Sequence, residues 1–414
     1  MNHRRRWWIV WTLFFSTSIN YINRQTLSVL APVISKEFHL NHSELSNIFG
    51  AFQFAYAGTW LLGGIFLDIV GTRVGLIIAV VWWSIVSAAT SFANSAFSFG
   101  ALRFMLGIGE GLNWPGASKA VAEFFPKAER GTAVAIFDSG SSVGGAVAAV
   151  AIPWIALKFG WRYAFAFAGA LGFVWLVCWL LVYPKPTPLE RVQQRQLPGR
   201  QFWRDWLGML RQRETWAVVI GRSLTDPIWW FYVFWLPQYL SDTRGFSLKQ
   251  IAAFSWIPFV AADLGNFAGG LISGALIKRG MPLLRARKLV CIVSCVPMLA
   301  GIPAVLTGNP FSSLAFICLA LFGYAAWSTM GLTFPSDLFP SKVVASVTGL
   351  SGFSAGLAGT LFTLLVGTLV DHFSYTPAFV VAATAPLLAT VVIVFLIRNR
   401  AADWSPDPST EPQG

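Results

Sequence analysis

Residues 103–119 read RFMLGIGEGLNWPGASK, and they put Arg103, Glu110 and Lys119 inside a run, about residues 96 to 124, that is otherwise apolar enough to cross a bilayer. A charge at membrane depth costs several kcal/mol, so it persists only beside a partner or a polar cavity. Arg103 and Glu110 are seven residues apart, two helical turns, and project from one face about 10 Å apart along the axis. That face is expected to line a wet pathway. Gly107, Gly109, Gly111 and Gly116 supply small surface where a second helix or a ligand comes close. The competing use of these charges is a buried ion network that only locks helices together.

The whole chain is of the same kind. Of its 414 residues 55% are hydrophobic and 12% charged, too apolar for a soluble core. An integral membrane protein follows, and the 20 Trp and 35 Phe suit lipid-facing and interfacial positions. The net charge of +12 does not indicate nucleic acid, because the basic residues sit in short loops between apolar spans and no soluble folded segment exists to carry them. Cys178, Cys291, Cys295 and Cys318 all fall within apolar spans, and the four His lie at the chain start or in loops. Neither disulfides nor a metal site are expected, and no cofactor. Arg4, Arg5 and Arg6 precede an apolar run too long for a signal peptide and without a cleavage site, so it reads as an uncleaved first helix.

Apolar spans are expected at about residues 7 to 35, 44 to 69, 74 to 93, 96 to 124, 130 to 156, 162 to 183, 214 to 241, 248 to 278, 287 to 307, 310 to 335, 342 to 370 and 376 to 397. Most of the 30 Lys and Arg then fall on one side, which places both termini in the cytoplasm. The chain divides into an N-terminal bundle of six helices (1–183), a cytoplasmic linker (184–213) with Pro184, Pro186, Pro188 and Pro198, a C-terminal bundle of six (214–402), and a disordered tail (403–414). The halves repeat. At an offset of 214, Glu123, Phe125 and Pro126 align with Asp337, Phe339 and Pro340, and Phe159, Ala164 and Phe165 with Phe373, Ala378 and Phe379; Gly63 and Gly64 match Gly269 and Gly270 at a shorter offset. Equal, even numbers of spans make the repeats parallel, and two such bundles enclose a midplane cavity that rocking opens to either side. The fold class is therefore all-α integral membrane, twelve transmembrane helices in two pseudo-symmetric six-helix bundles.

Twelve spans, the repeat, and Gly64-x-x-x-Asp68-x-x-Gly71-x-Arg73 between the second and third spans resemble the major facilitator superfamily. The resemblance implies that Asp68 and Arg73 brace a cytoplasmic gate. Gly274 stands where the second half would repeat the Asp, so the brace is expected on one side only. Residues 20–28 (NYINRQTLS), Arg103 with Glu110, 125–130 (FPKAER) and 140–144 (GSSVG) resemble the anion:cation symporter branch of that family. Arg222 with Asp226 and Pro227, 254–265 (FSWIPFVAADLG) and 336–339 (SDLF) resemble its hexuronate transporters. The branch commonly has an Asp linked to proton coupling just before the helix-1 Arg; here that residue is Asn23, which cannot titrate, while Asp138 stands on helix 5 where the branch often has Asn. Either coupling has moved to Asp138 or Glu110 carries it alone.

Arg24 is the foremost candidate for a substrate carboxylate, since guanidinium offers a permanently charged bidentate fork; its other use is an ion pair with Glu110 or Asp138. Tyr21 and Asn20, with Asn23, lie beside it and suit sugar hydroxyls or structural hydrogen bonds between helices. Glu110 in apolar surroundings is expected to carry a proton, or to form a lasting pair with Arg103, which would otherwise switch partners. Arg222 and Asp226, four residues apart, are expected to pair and, with Pro227, to serve gating. Trp229 and Trp230 stack on a sugar or face lipid; Asp263, Asn266, Ser351 and Ser354 bind hydroxyls or bond helix to helix. Lys119 either snorkels to the interface or holds a carboxylate.

These expectations describe a multi-pass inner-membrane protein, working as a monomer, that imports a hexuronate or related sugar-acid anion with a cation, H+ in preference to Na+. An inside-negative potential opposes anion entry by about 2.3 kcal/mol per charge per 100 mV, and a co-transported proton removes that penalty. The alternatives are an organic-anion exchanger or an uncoupled facilitator for aldonates or other carboxylates, and, from another class, a membrane-embedded enzyme. No catalytic constellation or extramembrane domain supports the enzyme.

Overall fold

The computed structural model describes residues 3–125, 127–184, 207–339 and 341–397, and among them every regular element is helical. The expected linker and tail lie for the most part outside the described residues. α1 (His3–Phe38), α2 (His42–Val70) and α3 (Thr72–Ala89) follow one another through tight turns. α2 starts on a capping box, Asn41 accepting from the Glu44 N–H while the Glu44 carboxylate accepts from the Asn41 N–H. It ends at Gly71, whose φ of 84° favours glycine.

The stretch 96–124 is not one helix but two, α4 (Ala96–Glu110) and α5 (Asn113–Phe124). Pro115 has no N–H for the Gly111 carbonyl, and its ring crowds that carbonyl, so the hydrogen-bond ladder fails there. The rest of the chain forms α6 (Lys127–Phe159), α7 (Trp161–Val182), α8 (Arg213–Arg244), α9 (Leu248–Phe254), α10 (Ile257–Lys278), α11 (Leu283–Met298), α12 (Gly301–Leu306), α13 (Pro310–Leu338), α14 (Ser341–His372) and α15 (Thr376–Leu396). The α9–α10 and α11–α12 breaks obey the same rule, with Pro258 four residues beyond Phe254 and Pro303 four beyond Leu299. Pro32, Pro153, Pro227 and Pro386 lie inside helices that continue, so proline marks these breaks without alone forcing them.

Among the described residues, eight helical stretches are long and apolar enough to cross a membrane on length and composition. α1 and α8 are not among them, and they carry Asn20, Arg24, Arg222 and Asp226, all buried. Large apolar side chains such as Phe54, Val174, Leu271 and Phe395 are exposed, as on a surface that faces lipid.

Packing relies on close backbone approach. A methyl group at Gly140 or Gly144 of α6 would overlap the Phe14 or Ser18 carbonyl of α1, and one at Gly265 of α10 would overlap the Phe322 carbonyl of α13. The N-terminal helices α1–α7 meet the C-terminal helices α8–α15 along three seams, of α2 with α14, of α1 with α8 and of α6 with α9 and α10. α2 and α14 run antiparallel, Ser46 against Gly367, Gly50 against Leu364, Ala57 against Gly356 and Trp60 against Gly352. Beyond Trp60, Leu61 and Leu62 are exposed. In the second seam the Ser28 hydroxyl of α1 donates to the Val233 and Phe234 carbonyls of α8 at 2.7 and 3.0 Å.

The repeat has a structural counterpart. Glu123, near the end of α5, accepts from the Thr72 hydroxyl at the start of α3 at 2.6 Å and from the Tyr183 hydroxyl. Asp337, near the end of α13, accepts from Arg287 Nε of α11 at 3.1 Å. In both sets an acid at the end of one helix is tied to the helix that follows a glycine turn.

Candidate functional site

Arg24 sits at mid-length of α1, 2% exposed. Its Nε and Nη2 both donate to Glu110 Oε2, at 3.4 and 3.3 Å, and Nη2 donates to Asn20 Oδ1 at 3.0 Å. Four rings surround the guanidinium, Tyr21 and Tyr56 at 4.6 Å and Phe52 and Trp230 at 5.1 Å from its carbon. Such desolvated cation–π contacts hold a cation that water no longer solvates. Three of the rings belong to α1 and α2 and the fourth to α8, so Arg24 lies where the two sets of helices meet.

Glu110 closes α4 because of the Pro115 break. Its backbone carbonyl accepts from Asn20 Nδ2 at 3.4 Å, while its Oε1 is buried with no hydrogen-bond partner. Arg103 is not bonded to Glu110. Its Nη1 donates to the Asn23 carbonyl at 3.3 Å, its guanidinium carbon lies 5.3 Å from the Phe165 ring, and Nε and Nη2 are buried without partners. Of the two pairings open to Glu110, this conformation has the one with Arg24. Asn23 spends its amide elsewhere: Nδ2 donates to the Ile19 carbonyl and Oδ1 accepts from the Ser87 hydroxyl at 2.5 Å.

Across the seam Arg222 and Asp226 pair as their spacing predicts, with Nη2 to Oδ2 at 2.7 Å and Nε to the same oxygen at 3.1 Å. Arg222 Nη1 also donates to the Ser351 hydroxyl of α14, and Ser354 is bonded to Ser223. Trp229 does not face lipid: it stacks on Tyr324, with ring centres 5.8 Å apart, and its Nε1 donates to the Tyr21 hydroxyl at 3.4 Å. A line of side chains thus runs from Arg24 through Tyr21 and Trp229 to Tyr324, crossing from the N-terminal to the C-terminal helices.

Asp138 accepts from Trp114 Nε1 at 3.0 Å and makes no pair with Arg24. Asp263 of α10 accepts from the Ser142 hydroxyl of α6, a polar bond between the two sets of helices, and Asn266 accepts from Thr329. Lys119 Nζ donates to the Leu67 carbonyl at 2.9 Å and Arg73 Nη2 to the Leu180 carbonyl at 3.3 Å. The Asp68 side chain lies outside the described residues.

Two buried amides carry no signal in the sequence. Asn113 accepts from the Ser16 hydroxyl and donates to Thr17, pinning the start of α5 to α1. Gln53 of α2 is 1% exposed, and neither its oxygen nor its nitrogen has a partner. A methyl at Gly359 would touch both Gln53 Nε2 and the Trp230 ring, so Gln53 borders the ring cage of Arg24.

Helices of this length with charged pairs buried where the two sets meet define a membrane transporter of the major facilitator type. Residues 13–363 match the sequence signature of the Major Facilitator Superfamily, and the chain belongs to it. It is a multi-pass membrane transporter and not an enzyme. Among its relatives, the hexuronate transporter of Escherichia coli (strain K12) is 32% identical over 96% of this chain and 95% of its own. The D-galactonate transporter of Escherichia coli O6:H1 is 28% identical over 95% of this chain and 96% of its own. The crystal structure of a D-xylose-proton symporter, 16% identical, superposes with a TM-score of 0.76 over 95% of this chain and 98% of that one, a likeness of fold.

Proposed function

We propose that the protein imports a hexuronate or a related sugar-acid anion together with a proton, by alternating access between two six-helix bundles (1–183 and 214–402) joined by the linker 184–213, with both chain ends in the cytoplasm. The observation that carries this reading is the Arg24–Glu110 pair. A buried guanidinium, caged by rings from both sets of helices, has an acid from its own set as its one anionic partner among the described residues. A substrate carboxylate takes the Nε and Nη2 fork that Glu110 Oε2 now fills, and Glu110 leaves by taking up a proton, so that one negative and one positive charge cross together. The names of the relatives support a sugar acid as the substrate.

Tyr21, Asn20 and Trp229 are placed to meet the sugar hydroxyls and ring, with Ser351 and Ser354 beyond them. Asp138 serves as a second proton carrier on α6. Arg103 holds the Asn23 carbonyl in this state and meets Glu110 or substrate in another. Arg222 with Asp226 works as a gate inside the C-terminal set, and Asp68 with Arg73 braces the cytoplasmic end. We read the conformation as closed on the outside, because the α2–α14 seam is packed from its His42 end as far as Trp60 and ends there.

The test is uptake of labelled glucuronate, galacturonate and galactonate into proteoliposomes with and without an inward pH gradient. Uptake above equilibrium only with the gradient, abolished by Arg24→Ala, is expected. An uncoupled facilitator or an exchanger is the second reading, favoured by Asn23, whose amide is fully engaged and titrates nothing. Equal uptake with and without the gradient would establish it.

A further inference from the structure

A cavity of about 700 Å³ opens at the turn between α10 and α11, lined by Arg279, Met281, Arg285, Lys288, Leu289 and Val394 among others. Gly280, at φ 89°, makes the turn that folds Arg279 back toward α11. Arg279 and Arg285 are exposed, and neither has a hydrogen bond or ion pair among the described residues. Lys288 also lines the cavity, its Nζ donating to the Val394 and Ile397 carbonyls at 3.1 and 2.6 Å. Among the described residues no carboxylate lines the cavity.

Below the cations the wall turns apolar in a definite pattern. Arg285, Leu289, Ile292 and Val296 lie four, three and four residues apart and share one face of α11. The last three are 37%, 47% and 71% exposed, which makes that face a lipid-facing stripe headed by an arginine. On α15, beside Val394, Val391 and Phe395 are exposed as well. A cationic mouth above a groove between two helices matches one molecule, a phosphate-bearing head with a hydrocarbon chain beneath it.

We propose that this cavity binds an anionic phospholipid, with its phosphodiester on Arg279 and Arg285 and an acyl chain along Leu289, Ile292 and Val296. Basic pockets between transmembrane helices recognise such headgroups by charge. A zwitterionic headgroup would bring its ammonium beside Arg279 and Arg285, where no acid among the described residues lines the cavity to receive it, so the site discriminates by net charge. Inorganic phosphate fits the mouth but leaves the stripe unused.

The experiment adds phosphatidylglycerol, phosphatidylcholine or inorganic phosphate to the full chain in neutral detergent, following thermal unfolding and the number of bound lipids by native mass spectrometry. Phosphatidylglycerol is expected to raise the midpoint by roughly 4 °C or more. Phosphatidylcholine and phosphate are expected not to. Arg279→Gln with Arg285→Gln removes that rise and its lipid adduct while leaving the midpoint in phosphatidylcholine unchanged, and Arg279→Gln alone reduces it. Lys158→Gln with Lys249→Gln, the same loss of charge elsewhere, keeps it. An equal shift with phosphatidylcholine or with phosphate, or a selectivity that survives in the Arg279/Arg285 variant, overturns the proposal. So does a phosphatidylglycerol effect that emerges only after removal of residues 403–414, since Asp403, Asp407 and Glu411 would then be the occupants.

Discussion

His42 at the start of α2 and Asp371 near the end of α14 stand 2.9 Å apart, and the other nitrogen of the same imidazole is 2.9 Å from Asp242 of α8. One side chain from the N-terminal helices therefore clasps two acids from the C-terminal helices. Asp371 also accepts from the His42 and Ser43 N–H groups and from the Ser43 hydroxyl, and Asp242 accepts from Gln238 and Tyr375. The clasp closes the end of the α2–α14 seam.

The hydrogen bond to Asp242, then that to Asp371, raises the His42 pKa above its ordinary value against the opposing effect of burial. A histidine raised in this way contributes its pairing in full below about 6.5 and loses it as pH climbs through the raised value. Closure at this end is therefore expected to be tightest at acid pH and to weaken toward alkaline pH. Ser46→Cys lies one turn beneath the clasp, and in a cysteine-free background its labelling by a membrane-impermeant maleimide, taken at each pH relative to a freely exposed reference cysteine to remove the thiol's own ionisation, should rise about fivefold between pH 6 and pH 9, the equivalent of roughly 1 kcal/mol. With His42→Ala the fast labelling should be present at pH 6 already. Labelling that ignores both pH and His42 would show that the clasp holds nothing shut.

Arg24 and Glu110 should separate when tested by two kinds of transport. Arg24→Lys keeps a charge but loses the planar fork, so both uphill uptake and counterflow of a sugar acid are expected to fall by about 100-fold, the equivalent of roughly 3 kcal/mol. Glu110→Gln keeps the shape and a hydrogen-bond acceptor but carries no proton. Counterflow should survive in it while gradient-driven accumulation disappears. Uphill uptake by Glu110→Gln at the wild-type rate would move coupling to Asp138, and Asp138→Asn in the same assay would then have to abolish it.

Gln53 presents an amide that is buried and unbonded on both sides, an arrangement that costs stability unless a ligand completes it. Gln53→Leu, close in shape, should therefore unfold at the same temperature or higher, by up to about 1 kcal/mol, while the KM for a sugar acid rises about tenfold. An unchanged KM would make Gln53 a structural group that meets its partner in another conformation.

What could be read in advance divides along physical lines. Apolar length locates the helices, but the breaks marked by Pro115, Pro258 and Pro303 turn on backbone hydrogen bonds, which hydropathy does not register. Arg24, Arg103 and Glu110 stand out because charge in an apolar run is costly, whereas Gln53 and Asn113 raise no such signal. Arg222 and Asp226 are legible because their spacing alone brings them together. The choice of Glu110 between Arg24 and Arg103 depends on how α1 lies against α4, and the His42–Asp242–Asp371 clasp joins three helices far apart in sequence. Trp229 and Trp230 look alike in sequence and differ in use, one stacked on Tyr324 and the other on the cage of Arg24.

Helix contact through glycine gives the last prediction, because the same substitution should act oppositely at different positions. Gly144 and Gly265 face backbone carbonyls on α1 and α13, which cannot swing aside as a flexible side chain does. Alanine at either forces two helices apart and should destabilise by about 1–3 kcal/mol. Gly270, five residues from Gly265 on the same helix, has nothing within 4 Å of where a Cβ would stand. Alanine there meets no neighbour and should stabilise by about 0.5–1 kcal/mol through helix propensity. Thermal unfolding of Gly144→Ala, Gly265→Ala and Gly270→Ala in one detergent compares the three directly. If Gly265→Ala and Gly270→Ala shift the midpoint alike, the close α10–α13 approach does not hold these helices together.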